Sequence, residues 1–304
     1  MESVEYKGWK QNTKLSNGSV ELIITQEVGP RVITYAPKGG ENIFKNYGEQ
    51  LGKGGEKDWQ IRGGHRLWIA PESKDLTYYP DNAPVAATPL GKNGVRLTPP
   101  AETGIGFQKE MEVTLDPEGS HVRVVHRVKN IGTKPQTIAP WSLSVMDAGG
   151  FAVIPQPPPK GHGPAAWLPN RAMSLWTYTD LSDGRYYLGK KFFTLAQDKT
   201  KGATKLGLAH REKWVGYVRN GVLFVKTFRF QEGKTYPDGG VNFETFTNED
   251  MLELESLGPM EVLAAGGSVE HVEDWYLFTG LPALKPSDEA GLESAVASKM
   301  GAIR

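Results

Sequence analysis

Short β-forming segments closed off by turn residues restrict this chain more than any other feature. Val20 to Thr25, Met111 to Leu115, His121 to Val128, Val222 to Phe230, Met251 to Leu257 and Val269 to Phe278 are rich in β-branched or aromatic residues, and many alternate apolar with polar positions. Between such segments stand Asn17-Gly18, Lys92-Asn93-Gly94 and Asn220-Gly221, where asparagine and glycine can take the positive φ that tight hairpins demand. A mainly β fold with antiparallel pairing follows. Among 36 glycines and 21 prolines, the segment Ile154 to Pro169, with Pro-Pro-Pro at 157 to 159, is expected to be a long rim loop, because proline offers a ladder no donor. Strand composition is alike on both sides of it, which favours a single β domain over residues 1–282. After Pro286, Leu292, Ala295, Val296 and Met300 recur at helical spacing, so residues 283–304 are expected to form a helical tail.

Charge and cysteine narrow the function. The 35 basic and 35 acidic residues cancel and no basic run stands out, which leaves no footprint for nucleic acid. Cysteine is absent, which removes disulfides, thiolate nucleophiles and cysteine-ligated zinc and leaves the redox compartment open. No apolar run approaches the roughly 18 residues of a membrane span, and the start Met-Glu-Ser-Val-Glu-Tyr is not a signal sequence, so the expectation is a cytoplasmic protein without a membrane partner unless a signal peptide has been removed. A G-x-S-x-G elbow, a phosphate loop and a dinucleotide fingerprint are all missing.

Three constellations remain. Arg62 to Glu72, R-G-G-H-R-L-W-I-A-P-E, collects two arginines, a histidine, a tryptophan and a carboxylate, which suits a ligand offering both oxygens and a flat apolar face, as a sugar ring does. In Met251 to Pro259, alternation puts Glu253 and Glu255 on one strand face, where repulsion and desolvation would raise at least one pKa toward that of a general base. His271, Glu273 and Trp275 share another strand face; zinc would ask for a third protein ligand and no H-E-x-x-H accompanies them, so a structural hydrogen bond is expected there and no metal site. Neither His121 nor His126 is given a role.

Gly29-Pro30-Arg31-Val32, G-G-H-R-L-W-I-A-P-E, L-E-L-E-S-L-G-P and Glu270 to Trp275 occur in that order. In this the chain resembles uncharacterised aldose 1-epimerase-like proteins, a group related to galactose mutarotase, some of them known only as a domain of unknown function. The resemblance spans roughly residues 4 to 280. It implies a supersandwich of large antiparallel sheets whose concave face binds a sugar. In mutarotases a glutamate on a late strand takes the proton of the anomeric hydroxyl and a histidine protonates the ring oxygen. Glu255 is similar to that glutamate by chain order, but the segment that should carry the histidine reads Pro140 to Asp147, P-W-S-L-S-V-M-D, and holds none.

The expected assignment is therefore an aldose 1-epimerase-like enzyme without a cofactor, acting on a sugar or sugar acid as a monomer or homodimer. Glu255 is the base and His65 the substitute acid; Arg62, Arg66 and Trp68 bind the ligand, with Glu72, Asp147 and Glu253 orienting hydroxyls. In a regular strand His65 points opposite to the arginines and Trp68, so both sets reach one ligand only if Gly63-Gly64 bends the chain. Arg31 is expected to be a buried structural arginine. A noncatalytic sugar-binding module and a lyase acting on uronic acid sugars are the alternatives, since related sandwiches host all three.

Overall fold

Asn220 and Gly221 take φ of +50° and +72° between the strands Trp214–Arg219 and Val222–Thr227, the backbone of a two-residue hairpin turn. Residues 17–19 join Trp9–Ser16 to Val20–Thr25 and Asn93 precedes the strand Gly94–Thr98, but neither turn uses the expected positive φ at its asparagine or following glycine; near the second it falls on Gly91. Such hairpins build two antiparallel sheets in this computed structural model, which describes residues 1–303.

The front sheet runs from edge to edge through Glu2–Tyr6, Trp9–Ser16, Val20–Thr25, Val32–Pro37, Gly64–Ala70, Gln136–Asp147, Met251–Leu257, Phe243–Thr247, Thr204–Leu208 and Met173–Leu175, and Glu261–Leu263 pairs with the start of Gln136–Asp147. The back sheet runs through Tyr186–Leu188, Phe192–Ala196, Phe151–Pro155, Trp214–Arg219, Val222–Thr227, Ser268–Phe278, Val122–Asn130, Phe107–Leu115, Gly94–Thr98 and Ala86–Pro89. Alternation sends Leu67, Ile69, Met146, Leu252 and Leu254 of the front sheet inward against Met111, Val113, Val124, Phe224 and Trp275 of the back sheet, and these form one buried core.

The expected rim loop starts later than its prolines suggest. Ile154 and Pro155 still belong to the strand Phe151–Pro155, where Pro155 faces Phe192 at the strand end and a missing donor costs no ladder bond. The helix Glu289–Met300 follows Pro286 as its periodicity predicts, capped by Asp288, whose side chain accepts from the Gly291 amide. Leu292 and Val296 bury against Phe151, Val153 and Val218 on the outer face of the back sheet. Among the described residues no helix is long and apolar enough to cross a membrane.

Candidate functional site

Register decides which side chains meet on the outer face of the front sheet. Glu255 stands opposite Leu143 on one neighbouring strand and opposite Glu244 on the other, while Leu143 stands opposite Arg66. One row across four strands therefore carries Arg66, Leu143, Glu255 and Glu244, all turned away from the back sheet. The row beside it pairs Trp68 with Trp141 and Trp141 with Leu257.

Lys205 lies between the two glutamates, its Nζ 2.6 Å from Glu244 and 3.1 Å from Glu255. The ammonium also sits 4.9 Å from the ring centre of Trp141 and 4.7 Å from that of Trp176. Trp141 Nε1 donates to Glu255 Oε2 at 3.0 Å. Glu255 Oε1 and Glu244 Oε1 are buried and have no hydrogen-bond partner among the described residues. Burial raises the pKa of both carboxyls, far more strongly for Glu244, and Lys205 opposes the rise in each. For Lys205 burial disfavours the charge, but Glu255 and Glu244 outweigh it and raise its pKa. One cation faces two buried carboxyls, so burial and mutual repulsion favour a proton on one of them. Tyr178, beside this trio, is pushed up to about 12 by burial.

At the other end of the row, Arg66 Nη2 bonds Glu253 Oε1 at 3.0 Å, and its guanidinium carbon lies 4.0 Å from the Trp68 ring centre and 5.1 Å from that of Trp59. Tyr78 packs edge-on against both indoles. Arg66 Nε and Nη1, Trp59 Nε1 and Trp68 Nε1 are buried without a hydrogen-bond partner among the described residues. Such orphans are uncommon inside folded proteins and each one costs free energy. Hollows of the surface lie elsewhere, for example about 700 Å³ beside Arg185, Gln197 and Asp198, but these unsatisfied buried groups on one sheet face make the outer face of the front sheet the candidate site.

The bend that would bring His65 to this face is real but lies on the wrong side of it. Arg62, Gly63 and Gly64 have φ of +50°, +93° and +71°, and a Cβ at Gly64 would stand 2.5 Å from Val32 O. From Gly64 onward the strand is regular, so His65 and Arg66 point to opposite faces. His65 is wholly buried between the sheets, with Nδ1 2.9 Å from Ser144 Oγ and Nε2 2.7 Å from His126 Nε2. The expectation that His65 supplies the acid beside Glu255 is thereby corrected: the sheet itself separates them.

Its surroundings form a closed polar cluster. His126 Nδ1 donates to His271 O at 3.0 Å, which leaves His126 Nε2 to accept from His65 and His65 Nδ1 to accept from Ser144. Glu273 receives Lys226 at 2.9 Å, Trp275 Nε1 at 2.8 Å, Ser256 at 2.5 Å and Ser142. Burial alone would raise Glu273, but Lys226 and the imidazoles hold it well below the usual carboxylate range. His65 Nε2, His126 Nε2 and Glu273 Oε2 lie within 4.8 Å of one another, as metal ligands would. Every one of these atoms is nonetheless engaged within the protein, and Lys226 already balances the single carboxylate, so the group is a satisfied hydrogen-bonded core.

The other expected residues divide. Glu253 and Trp68 join Arg66. Arg62 turns aside at the bend and binds Glu56 at 2.6 Å, and Arg31 is buried against Asp81, as a structural arginine would be. Glu72 accepts from Tyr78 Oη at 2.5 Å at the rim. Asp147 shares the strand face but lies four residues beyond Leu143, about 13 Å away at 3.3 Å per residue, where Arg219 at 2.9 Å holds it. It does not join the site.

No family model matches the chain, and no curated protein does. Solved structures do. A galactose mutarotase related enzyme from Lactobacillus acidophilus aligns over 90% of this chain and 100% of its own at 10% identity, with a TM-score of 0.57. The fold is galactose mutarotase-like. Two galactose mutarotase-like proteins agree, one from Lactobacillus casei (12% identity, 88% and 100% coverage, TM-score 0.54) and one from Clostridium acetobutylicum (10%, 91% and 98%, TM-score 0.54). Within this mutarotase-like fold, sequence reasoning missed Glu244, Lys205, Trp141 and Trp59. Glu244 had a signal: Phe243 to Thr247 and Met251 to Leu257 are separated by Asn-Glu-Asp, a hairpin that sets Glu244 across from Glu255. Lys205, in T-K-L-G-L, had none, because its partners come from strands 39 or more residues away in the chain.

Proposed function

We propose that the protein is a carbohydrate-active enzyme of the aldose 1-epimerase type, with Glu255 as base and Glu244 as acid. The observation that carries this reading is a pair of buried cross-strand carboxyls bridged by Lys205, each with an oxygen free of hydrogen bonds. Two carboxyls forced into different protonation states can divide acid and base roles between them. Ionised Glu255 takes the proton from the anomeric hydroxyl while protonated Glu244 gives its proton to the ring oxygen. The bond from the anomeric carbon to the ring oxygen breaks, the aldehyde turns, and closure on its other face returns both protons. Lys205 stays charged and keeps one carboxylate stable through the exchange. Trp68 and Trp59, packed against the Arg66 guanidinium, line the other end of the row.

Anomeric exchange measured by proton NMR tests the reading. Wild-type protein should accelerate exchange of at least one sugar or sugar acid above the buffer rate, and Glu255→Gln and Glu244→Gln should each lose about 10²-fold or more. Absence of acceleration with neutral sugars, sugar phosphates and uronic acids would refute it. Complete burial of Glu255 favours a second reading, a noncatalytic sugar-binding module. In that case Glu255→Gln keeps most of its affinity and there is no turnover to lose. A lyase would instead release an unsaturated product absorbing in the ultraviolet.

A further inference from the structure

Unsatisfied groups on the outer face are not mixed at random. At the Arg66 end all of them are donors: Arg66 Nε and Nη1, Trp59 Nε1 and Trp68 Nε1. At the Glu244 and Glu255 end they are acceptors, Glu244 Oε1 and Glu255 Oε1. A hydroxyl both donates and accepts, so a ring bearing hydroxyls suits the carboxyl end. The arginine end asks for a group that only accepts. Nearby acceptors are already occupied, with Glu253 on Arg66 at 3.0 Å and Glu72 on Tyr78 at 2.5 Å. A guanidinium with two unpaired nitrogens, packed against two indoles whose N–H groups are also unpaired, is matched by a carboxylate or phosphate, whose oxygens take several donors at once.

Resting on the carbohydrate reading above, we propose that the ligand is an anionic monosaccharide. Its oxyanion is held by Arg66, Trp59 and Trp68, and its anomeric hydroxyl is turned toward Glu255. The register gives the span: Arg66, Leu143 and Glu255 are successive cross-strand partners, so their outer members stand about 10 Å apart at Cα on one face. Uronic acids and sugar phosphates both carry the required oxyanion, whose several oxygens can reach the unpaired Nε and Nη1 separately.

Calorimetric titration of wild type with a neutral hexose, its uronic acid and its 6-phosphate tests the proposal. One or both anions should bind at least about tenfold tighter than the neutral sugar, and whichever does so identifies the source of the oxyanion. Because Arg66→Gln alone strands Glu253, the double variant Arg66→Gln/Glu253→Gln and the charge-keeping Arg66→Lys are titrated beside it, with thermal melts as a folding control. Each should lower the ratio of anionic to neutral affinity at least fivefold. Equal affinity for neutral and anionic sugars, or variants that weaken both alike, would overturn the proposal. Its failure separates cleanly from that of the enzymatic reading. An anion bound at Arg66 whose anomers do not exchange removes only the catalysis, whereas Glu255-dependent exchange without anionic preference removes only this inference.

Discussion

Acid should unfold this protein steeply, and the reason lies in its imidazoles. Burial lowers the pKa of His65, His126, His210 and His271, the last two to about 4 and about 3. In the unfolded chain each titrates near 6.5. Above that pH both states hold these rings neutral and nothing is lost. As pH falls below it the unfolded chain binds protons that the fold refuses, so stability drops toward the depressed folded values. Each ring contributes up to about 1.4 kcal/mol per pH unit, so His210 and His271 alone give a slope of up to about 3 kcal/mol per unit between pH 6 and their folded values, and His65 and His126 add to it in the same direction. Against a total stability of roughly 5–15 kcal/mol, that loss is a large share of the whole. His121 acts with the opposite sign, since its bond to Asp274 raises its pKa and its contribution fades as pH rises above 6.5. Urea unfolding at half-unit steps from pH 8 to 4.5 measures the slope. His210→Gln, which keeps a donor for Trp214 O, should reduce it by about one proton. A midpoint that does not move between pH 7 and 5, or a slope unchanged in the variant, refutes the argument.

Further outcomes follow from the same geometry. His65→Gln should lower the melting temperature yet leave anomeric exchange per folded molecule within about threefold, because the ring lies on the far side of the sheet; loss of about a hundredfold would return His65 to the mechanism. Glu273→Gln should cost about 3–5 kcal/mol by stranding the buried Lys226, whereas Glu273→Leu with Lys226→Met should recover much of it in chemical denaturation; no recovery would contradict the pairing. Trp141→Phe removes the donor to Glu255 Oε2, raises that carboxyl further, and should shift the acid limb of the exchange profile to higher pH; an unmoved limb would show that the bond is idle.

Much of the architecture could be read in the chain because its causes are local. Asn220-Gly221 forces a hairpin whatever surrounds it, and L-E-L-E-S-L declares its two faces by alternation alone. The same alternation gave Glu253 and Glu255 one face and warned that His65 opposed Arg66. The sheet order could not be read, because strands far apart in the chain, such as Val122–Asn130 and Ser268–Phe278, become neighbours through long connections. Lys205 therefore met Glu255, and Arg66 met Glu253, without any trace in sequence spacing. Glu273 illustrates the reverse: its neighbours His271 and Trp275 were visible, but its ammonium partner Lys226 lies on an adjacent strand that reads as ordinary β sequence.

The polar cluster between the sheets has a mechanical consequence. Apolar layers can slip past each other by fractions of an ångström at little cost, but directional bonds tolerate no such drift. His65 and Ser142, on neighbouring strands of the front sheet, are tied to His126 and Glu273 of the back sheet. These bonds act as a locating pin that indexes one layer on the other. The strands bearing Arg66 and Trp141 are thereby fixed relative to a scaffold that never touches the ligand. A change at His126, on the far layer, should be felt as altered alignment of a face it cannot see.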